Sequence, residues 1–398
     1  MEFGIFLQGY LPGPKAHDTD AEHAALTREM ELAQVADRNN FKFVWLTEHH
    51  GLSEYSHLAA PEVHAGYLAA STERIHIGAG IFNISPRVNH PVRTAEKVAT
   101  LDHLTNRRFE FGTGRGAGSH EIGTLNIHDK ESTRADYDDV IYEIVRMWEQ
   151  KDYTYHGTHW AMDVPHNVLP KPWGPGHPAF WLAVGSPATW EKAGRLGQGA
   201  LGFTFSSVHD VAPWIESYKK GVTDCSEPVG EFVNDNVMIT TAVRCSTDRA
   251  QARAQACRAG NGYLPSLVAL YHDTMPGRPG AVRWPTPPGR LREDQLDPLI
   301  GGGYLLCGSP EEICEQLQPF VDYGVDQLCF GLPGDATSHD EAIEIIETFG
   351  RHVIPEFDTD PVVSTDRYRA MAQPKFPTFN RPPLEIPTLY SSGTAAPV

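Results

Sequence analysis

Positive charge is scarce in this chain. Lys and Arg number 33 against 51 Asp and Glu, a formal net charge of −18 over 398 residues. A surface of that sign repels phosphate backbones, which excludes nucleic acid as a partner. Cysteine is sparse too. Cys225, Cys245, Cys257, Cys307, Cys314 and Cys329 all fall in the second half, and no two form a C-x-x-C pair. That spacing argues against a disulfide framework and against a structural zinc site. No apolar run reaches the ~18 residues needed to span a bilayer. The start, Met1-Glu2-Phe3-Gly4-Ile5-Phe6-Leu7, lacks the basic and long apolar regions of a signal peptide. A cytoplasmic protein with reduced thiols, no metal and no membrane partner is expected.

What is present is a packed core and a regular alternation. Hydrophobic residues make up 40% and aromatic residues 10% of the chain, too much for a disordered one. Short apolar runs at 3–8, 41–47, 74–84, 107–112, 179–184, 200–205, 237–244 and 327–332 read as strands, and helical patterns separate them. Strands alternating with helices imply a parallel sheet, and eight is the count that closes into a (β/α)8 TIM barrel. An open doubly wound sheet is the competing architecture. Residues 1–355 are assigned to the barrel. An aromatic stretch from Tyr153 to Trp173 reads as an inserted hairpin. The Pro- and Gly-rich insertion 258–303 reads as an active-site lid, with Tyr263 and Tyr271 facing substrate. Residues 356–398 read as a Pro-rich extended tail.

Three places carry chemistry. The first is Trp45-Leu46-Thr47-Glu48-His49-His50, three ionisable side chains at the end of an apolar strand. Such groups are costly to bury without partners, and parallel α/β folds keep their sites at the carboxyl ends of strands. Neighbours on a strand point to opposite faces, so the two histidines do not share a metal. His49 is the candidate proton donor or acceptor; an ordinary core histidine is the competing interpretation. The second is Gly112-Thr113-Gly114-Arg115-Gly116, where glycines admit a ligand to the backbone and an arginine offers a fork for phosphate. The third is Gly185-Ser186-Pro187-Ala188-Thr189, a capped helix start able to hold an anion. In a closed barrel the second and third places adjoin, so Arg115, Ser186 and Thr189 converge on one phosphate. His90-Pro91-Val92-Arg93 reads chiefly as a helix start.

These stretches, with Leu101-Asp102-His103-Leu104-Thr105-Asn106-Arg107-Arg108-Phe109 and Gly308-Ser309-Pro310-Glu311-Glu312, run in order along a chain that resembles the bacterial luciferase-like, flavin-dependent monooxygenases. The resemblance implies a (β/α)8 barrel holding reduced FMN, which reacts with O2 at C4a to oxygenate a small organic substrate. It implies a separate flavin reductase, a homodimer and a catalytic His49. It further implies that Arg115, Ser186 and Thr189 hold the flavin phosphate, that Gly114 and Gly185 line the cofactor site, and that Phe6 lies near the isoalloxazine. Gly114 stands where the luciferase has a reactive cysteine, Thr47 where it has a leucine and Gly185 where it has a glutamate. These departures argue against light emission and a long-chain aldehyde. A deazaflavin (F420)-dependent oxidoreductase on the same barrel, and a non-catalytic flavin-binding protein, are the alternatives.

Overall fold

The computed structural model describes residues 1–11, 15, 17–51, 55–116, 118–203, 207–259, 290–332 and 337–373. Eight parallel strands close on themselves. They are β1 (Glu2–Leu7), β2 (Phe43–Leu46), β3 (His76–Ala79), β4 (Phe109–Gly114), β5 (Ala179–Val184), β6 (Gly199–Phe203), β7 (Val237–Thr241) and β8 (Gln327–Phe330). Each pairs with the next, and β8 returns to β1 with Glu2 opposite Gln327. The eight expected strands are all present, and the barrel is closed rather than open. The expected third strand is shorter: it breaks after Ala79 and resumes as Phe82–Asn83, pairing again with β4. The seventh also ends early, and Val243–Cys245 pairs instead with Leu306–Gly308.

Strand side chains divide between two cores, as a period of two requires. Phe3, Ile5, Val44, Leu46, Phe111 and Phe180 face outward, onto a ring of helices. These are α1 (Thr19–Arg38), α2 (Pro61–Ser71), α3 (Pro91–Leu104), α4 (Ser132–Glu149), α5 (Pro187–Arg195), α6 (Val208–Thr223), α7 (Pro310–Asp322) and α8 (His339–His352). Phe6, Phe43, Trp45, Trp181, Leu201, Met238 and Cys329 face inward and fill the barrel. Trp45 fits because residue 78 is glycine: a Cβ there would lie 2.3 Å from the indole. The indole Nε1 donates to Gln327 Oε1 at 2.6 Å, giving the buried N–H an acceptor.

The amino end of the barrel is closed by the chain's own last described segment. Within the expected tail, 356–398, α9 (Ser364–Ala370) is helical, as is Ile354–Phe357 at its start, and residues 374–398 lie outside the described ones. Seven residues make too short a helix to stand alone in water, so α9 depends on tertiary contacts. Val363 and Tyr368 pack into the interior cluster. Arg369 grips Asp102 with two bonds of 2.6 and 2.8 Å, both residues being buried. Thr365 donates to Glu110, which also bonds His76 Nδ1 at 2.8 Å, and Asp366 lies 3.5 Å from His76 Nε2. Lys42 contacts Glu2 and Asp358 at 3.0 and 2.9 Å. The inserted hairpin is present as Tyr153–His156 with Ala161–His166. Within the supposed lid, Glu293–Gly301 is helical, while residues 260–289, with Tyr263 and Tyr271, lie outside the described ones. Among the described residues, no helix is long and apolar enough to cross a membrane.

Candidate active site

The carboxyl ends of β1 to β5 gather the residues expected to carry chemistry. Beyond β2 the chain keeps its strand-like alternation through Glu48, His49 and His50. Glu48 and His50 therefore meet, with His50 Nε2 3.0 Å from Glu48 Oε1. That hydrogen bond raises the His50 pKa, against the opposing effect of burial. Glu48 also accepts from the Asn83 amide at 3.2 Å and from Asn89 Nδ2 at 3.0 Å. It is a buried carboxylate held by three donors, which explains how an acid is tolerated there.

His49 takes the opposite side. Its Nδ1 lies 3.4 Å from Glu121 Oε1, and its ring meets Tyr55 edge to face at 5.1 Å. The contact with Glu121 is longer than an aligned hydrogen bond. Glu121 also accepts from the His50 backbone N–H at 3.3 Å and is buried. The carboxylate thus stands behind the imidazole on the Nδ1 side, which favours a proton on that nitrogen. Sequence reasoning missed Glu121. It belongs to the helix Ser119–Thr124 just after the glycine-rich strand exit, and nothing local in the sequence links it to His49.

Arg115 leaves the end of β4. Its Nη1 donates to Lys130 O at 3.1 Å and Thr133 Oγ1 at 2.9 Å, fastening the guanidinium to the start of α4. Burial and then the proximity of Arg134 lower its pKa. Glu131 and Asp138 act the other way, and Arg134 is itself paired with Glu131, so Arg115 is the cation that an anion entering this rim would meet. Asn83 ties the region together: it pairs with Gly114 across the short strand, and its N–H reaches Glu48.

Beyond β5, Ser186 and Thr189 form a reciprocal cap on α5. Their hydroxyls are 3.0 Å apart, and Thr189 Oγ1 accepts from the N–H groups of Gly185 and Ser186 at 3.3 and 3.0 Å. Ser186 is exposed and Thr189 half-buried, and the space that a Cβ on Gly185 would enter is open. Strands β4 and β5 are neighbours, with Thr113 opposite Leu182 and Thr113 Oγ1 donating to Trp181 O at 2.7 Å. Lys192 of α5 is ion-paired with Asp138 of α4. The Arg115 and Ser186 exits are thus on adjacent rims of one mouth. Phe6 is buried in the interior cluster, one layer beneath.

A flavin fits the polar groups of this mouth. The side-chain atoms Gln8 Oε1, Thr47 Oγ1 and Asn83 Nδ2 are buried, and each is without a hydrogen-bond partner among the described residues. They follow β1, β2 and β3. A buried polar atom left unmatched costs about 1–3 kcal/mol. A planar ring with carbonyl and N–H groups on its edge offers partners of both kinds. With a phosphate on the Arg115 rim, Arg115, Ser186 and Thr189 would hold one end of FMN, and Gln8, Thr47 and Asn83 would face the other.

The comparisons with known proteins agree with this architecture. A family model described as luciferase-like monooxygenase matches residues 1–327. The chain belongs to the luciferase-like monooxygenase family. A limonene 1,2-monooxygenase of Rhodococcus erythropolis is 26% identical over 365 residues, covering 90% of this chain and 87% of that one. Among solved structures, the oxygenating constituent of 3,6-diketocamphane monooxygenase from Pseudomonas putida, a type II Baeyer–Villiger monooxygenase in complex with FMN, superposes with a TM-score of 0.72. It is 16% identical, over 89% of this chain and 98% of that one. The coenzyme F420-dependent tetrahydromethanopterin reductase of Methanopyrus kandleri has a TM-score of 0.62 and 20% identity, over 90% and 99%.

Proposed function

We propose that the protein is an FMN-dependent monooxygenase that oxygenates a neutral, compact organic molecule. Reduced FMN would come from a separate flavin reductase. The observation that carries this is the meeting of two devices on one barrel mouth: a cationic rim at Arg115 beside the capped start of α5, and His49 backed by Glu121. Bound reduced FMN supplies the electrons that activate O2, one atom going to substrate and the other to water. The protein's own part is to bind, orient and shield. Arg115 clasps the phosphate with a rigid fork, and the Ser186–Thr189 turn adds hydroxyls beside the positive end of α5. His49, its Nδ1 side occupied by Glu121, presents Nε2 to the reacting atoms and can give or take a proton there. Phe6, Trp45 and Ile81 keep water from below. The diketocamphane relative is the oxygenating constituent of its monooxygenase, and this favours delivery of flavin by a second protein. As in the family it resembles, the chain would work as a homodimer.

An F420-dependent oxidoreductase is the second interpretation, favoured by the barrel shared with the F420-dependent reductase. Cofactor chemistry separates the two. The purified protein would be given reduced FMN, O2 and a panel of monocyclic and bicyclic terpenoids, and products read by mass spectrometry. Incorporation of one 18O atom from 18O2 into a product is expected. Turnover with reduced F420 and none with reduced FMN would overturn the proposal.

A further inference from the structure

Helix α1 sets a carboxylate behind the exit of β1. Glu29 is buried, and its two oxygens accept from consecutive backbone N–H groups just past the strand, Gln8 N at 3.0 Å and Gly9 N at 2.8 Å. Two turns earlier, on the same face of the helix, Glu22 Oε1 lies 2.6 Å from His57 Nδ1. The two acids grip the two partners of one backbone lattice. His57 N donates to Gly9 O at 2.9 Å, Ser56 Oγ to Gln8 O at 2.7 Å, and Leu11 N to Tyr55 O at 2.9 Å. Glycine is required for this approach: residue 9 has a φ of +55°, and a Cβ there would lie 2.8 Å from Leu58 N. His49 is bonded into the same lattice. Its backbone N–H donates to Leu58 O at 3.1 Å, and its ring packs edge to face on Tyr55. A bonded path therefore runs from the Glu29 carboxylate through Gly9, His57 and Leu58 to His49. The carboxylate also fixes the backbone of Gln8, whose side chain lies over Gly331 beyond β8; a Cβ at 331 would be 2.4 Å from Gln8 Nε2. Stability alone does not favour an acid here. Ile5, Leu7, Leu32, Phe330 and Ile346 line a small void with it. Burial pushes its carboxyl up to about 7, against the two amides and the charge of Arg28. The ionised form, with one free oxygen for each amide, is thus held at a cost to the fold.

We propose that Glu29 is a positioning residue for the reaction: through the Gln8–Gly9 turn and the segment 55–58 it fixes the orientation of His49, and it fixes where the Gln8 carboxamide points. Glu29 touches neither substrate nor cofactor. It acts through the N–H groups it holds. Without its second oxygen, one of those buried amides loses its acceptor, and the strain passes along the lattice to the imidazole. The role in oxygenation rests on the monooxygenase proposal; the mechanical link to His49 does not.

Wild type, Glu29→Gln and Glu29→Asp, each as the full chain, test this. Glu29→Gln keeps the shape with one acceptor oxygen; Glu29→Asp keeps both oxygens on a shorter arm. With 15N-labelled histidine, the ring signals of His49, assigned by their loss in His49→Gln, read the link directly. Glu29→Gln is expected to shift or broaden them and to leave those of His76, at the opposite end of the barrel, in place. Amide hydrogen exchange over residues 55–58 is expected to rise ~10-fold, the loss of about one hydrogen bond, while α9 exchanges as before. Turnover number is expected to fall ~10–100-fold with FMN affinity changed less than ~3-fold, as misplacement of a reacting group does, and Glu29→Asp is expected to lie between. Unchanged His49 signals and unchanged exchange in Glu29→Gln would overturn the link. Altered signals with an unchanged turnover number would show a merely structural acid and overturn the positioning role. Should Glu29→Gln not fold, Glu29→Asp is judged by the same two outcomes. A wild type that turns over with reduced F420 would sink the oxygenase proposal and leave this one standing, since the spectra, the exchange and the ratio of turnover numbers are read with either cofactor.

Discussion

His76 titrates inside the barrel floor, and its effect on stability can be worked out. The imidazole is 1% exposed, with Glu110 on Nδ1 and Asp366 of α9 on Nε2. Burial alone pulls its pKa down. The carboxylates of Asp366 and Glu110 more than reverse this and lift it from 6.5 to about 9. One unit corresponds to ~1.4 kcal/mol, so the protonated form contributes ~3 kcal/mol. A group whose pKa rises on folding gives its full contribution below the unfolded value, near 6.5, and loses it as pH climbs through about 9. The perturbation is His76→Gln, which keeps a donor but cannot titrate. Unfolding of both proteins would be followed by tryptophan fluorescence and circular dichroism in denaturant at half-unit steps from pH 6 to 10. The wild-type advantage should shrink by ~3 kcal/mol between pH 6.5 and 9.5, or ~4 °C in Tm for a chain this long. A difference that stays flat across that window would refute the buried imidazolium.

Other substitutions address the site and the floor. His49→Ala should lower turnover by ~10²–10⁴-fold, with FMN affinity, read by flavin fluorescence, changed less than ~3-fold; unchanged turnover would remove His49 from the chemistry. Arg115→Gln should weaken FMN by ~10–100-fold, the loss of charge-assisted bonds worth about 1.5–3 kcal/mol, and leave riboflavin binding nearly as it was; an equal loss for both ligands would show that the phosphate is held elsewhere. Among the described residues, Arg369→Ala leaves the buried Asp102 carboxylate with the Trp173 amide as its remaining donor. It should cost ~3–5 kcal/mol, seen as a lowered denaturant midpoint, and a cost under ~1 kcal/mol would contradict the buried pair.

The barrel was legible because parallel strands covered on both faces read as unbroken apolar runs. Val44-Trp45-Leu46 and Phe180-Trp181-Leu182 need no partner to be recognised. The place of His49 just beyond a strand was legible because a polar triplet closing such a run is costly anywhere but at a strand exit. Glu121 was not, since its relation to His49 passes through folding and not through spacing. The helical part of the tail was hidden for the same reason. Arg369 and Asp102 are 267 residues apart, and no window of local periodicity contains both. The broken third strand was misjudged as continuous because Ile75 to Ile84 keeps its apolar character across Gly80.

The floor joins the two ends of the described chain. The amino group of Met1 donates to Phe357 O, and Glu2 accepts from the backbone and hydroxyl of Ser364. Contacts so remote in sequence form late and slow the search for the native state. During translation at roughly 5–20 residues per second, β1 would wait ~20–70 s for β8 and α9 to emerge from the ribosome, although β2 emerges early. Until then its apolar edge stays open, and a nascent chain in that interval is a natural client for a holding chaperone.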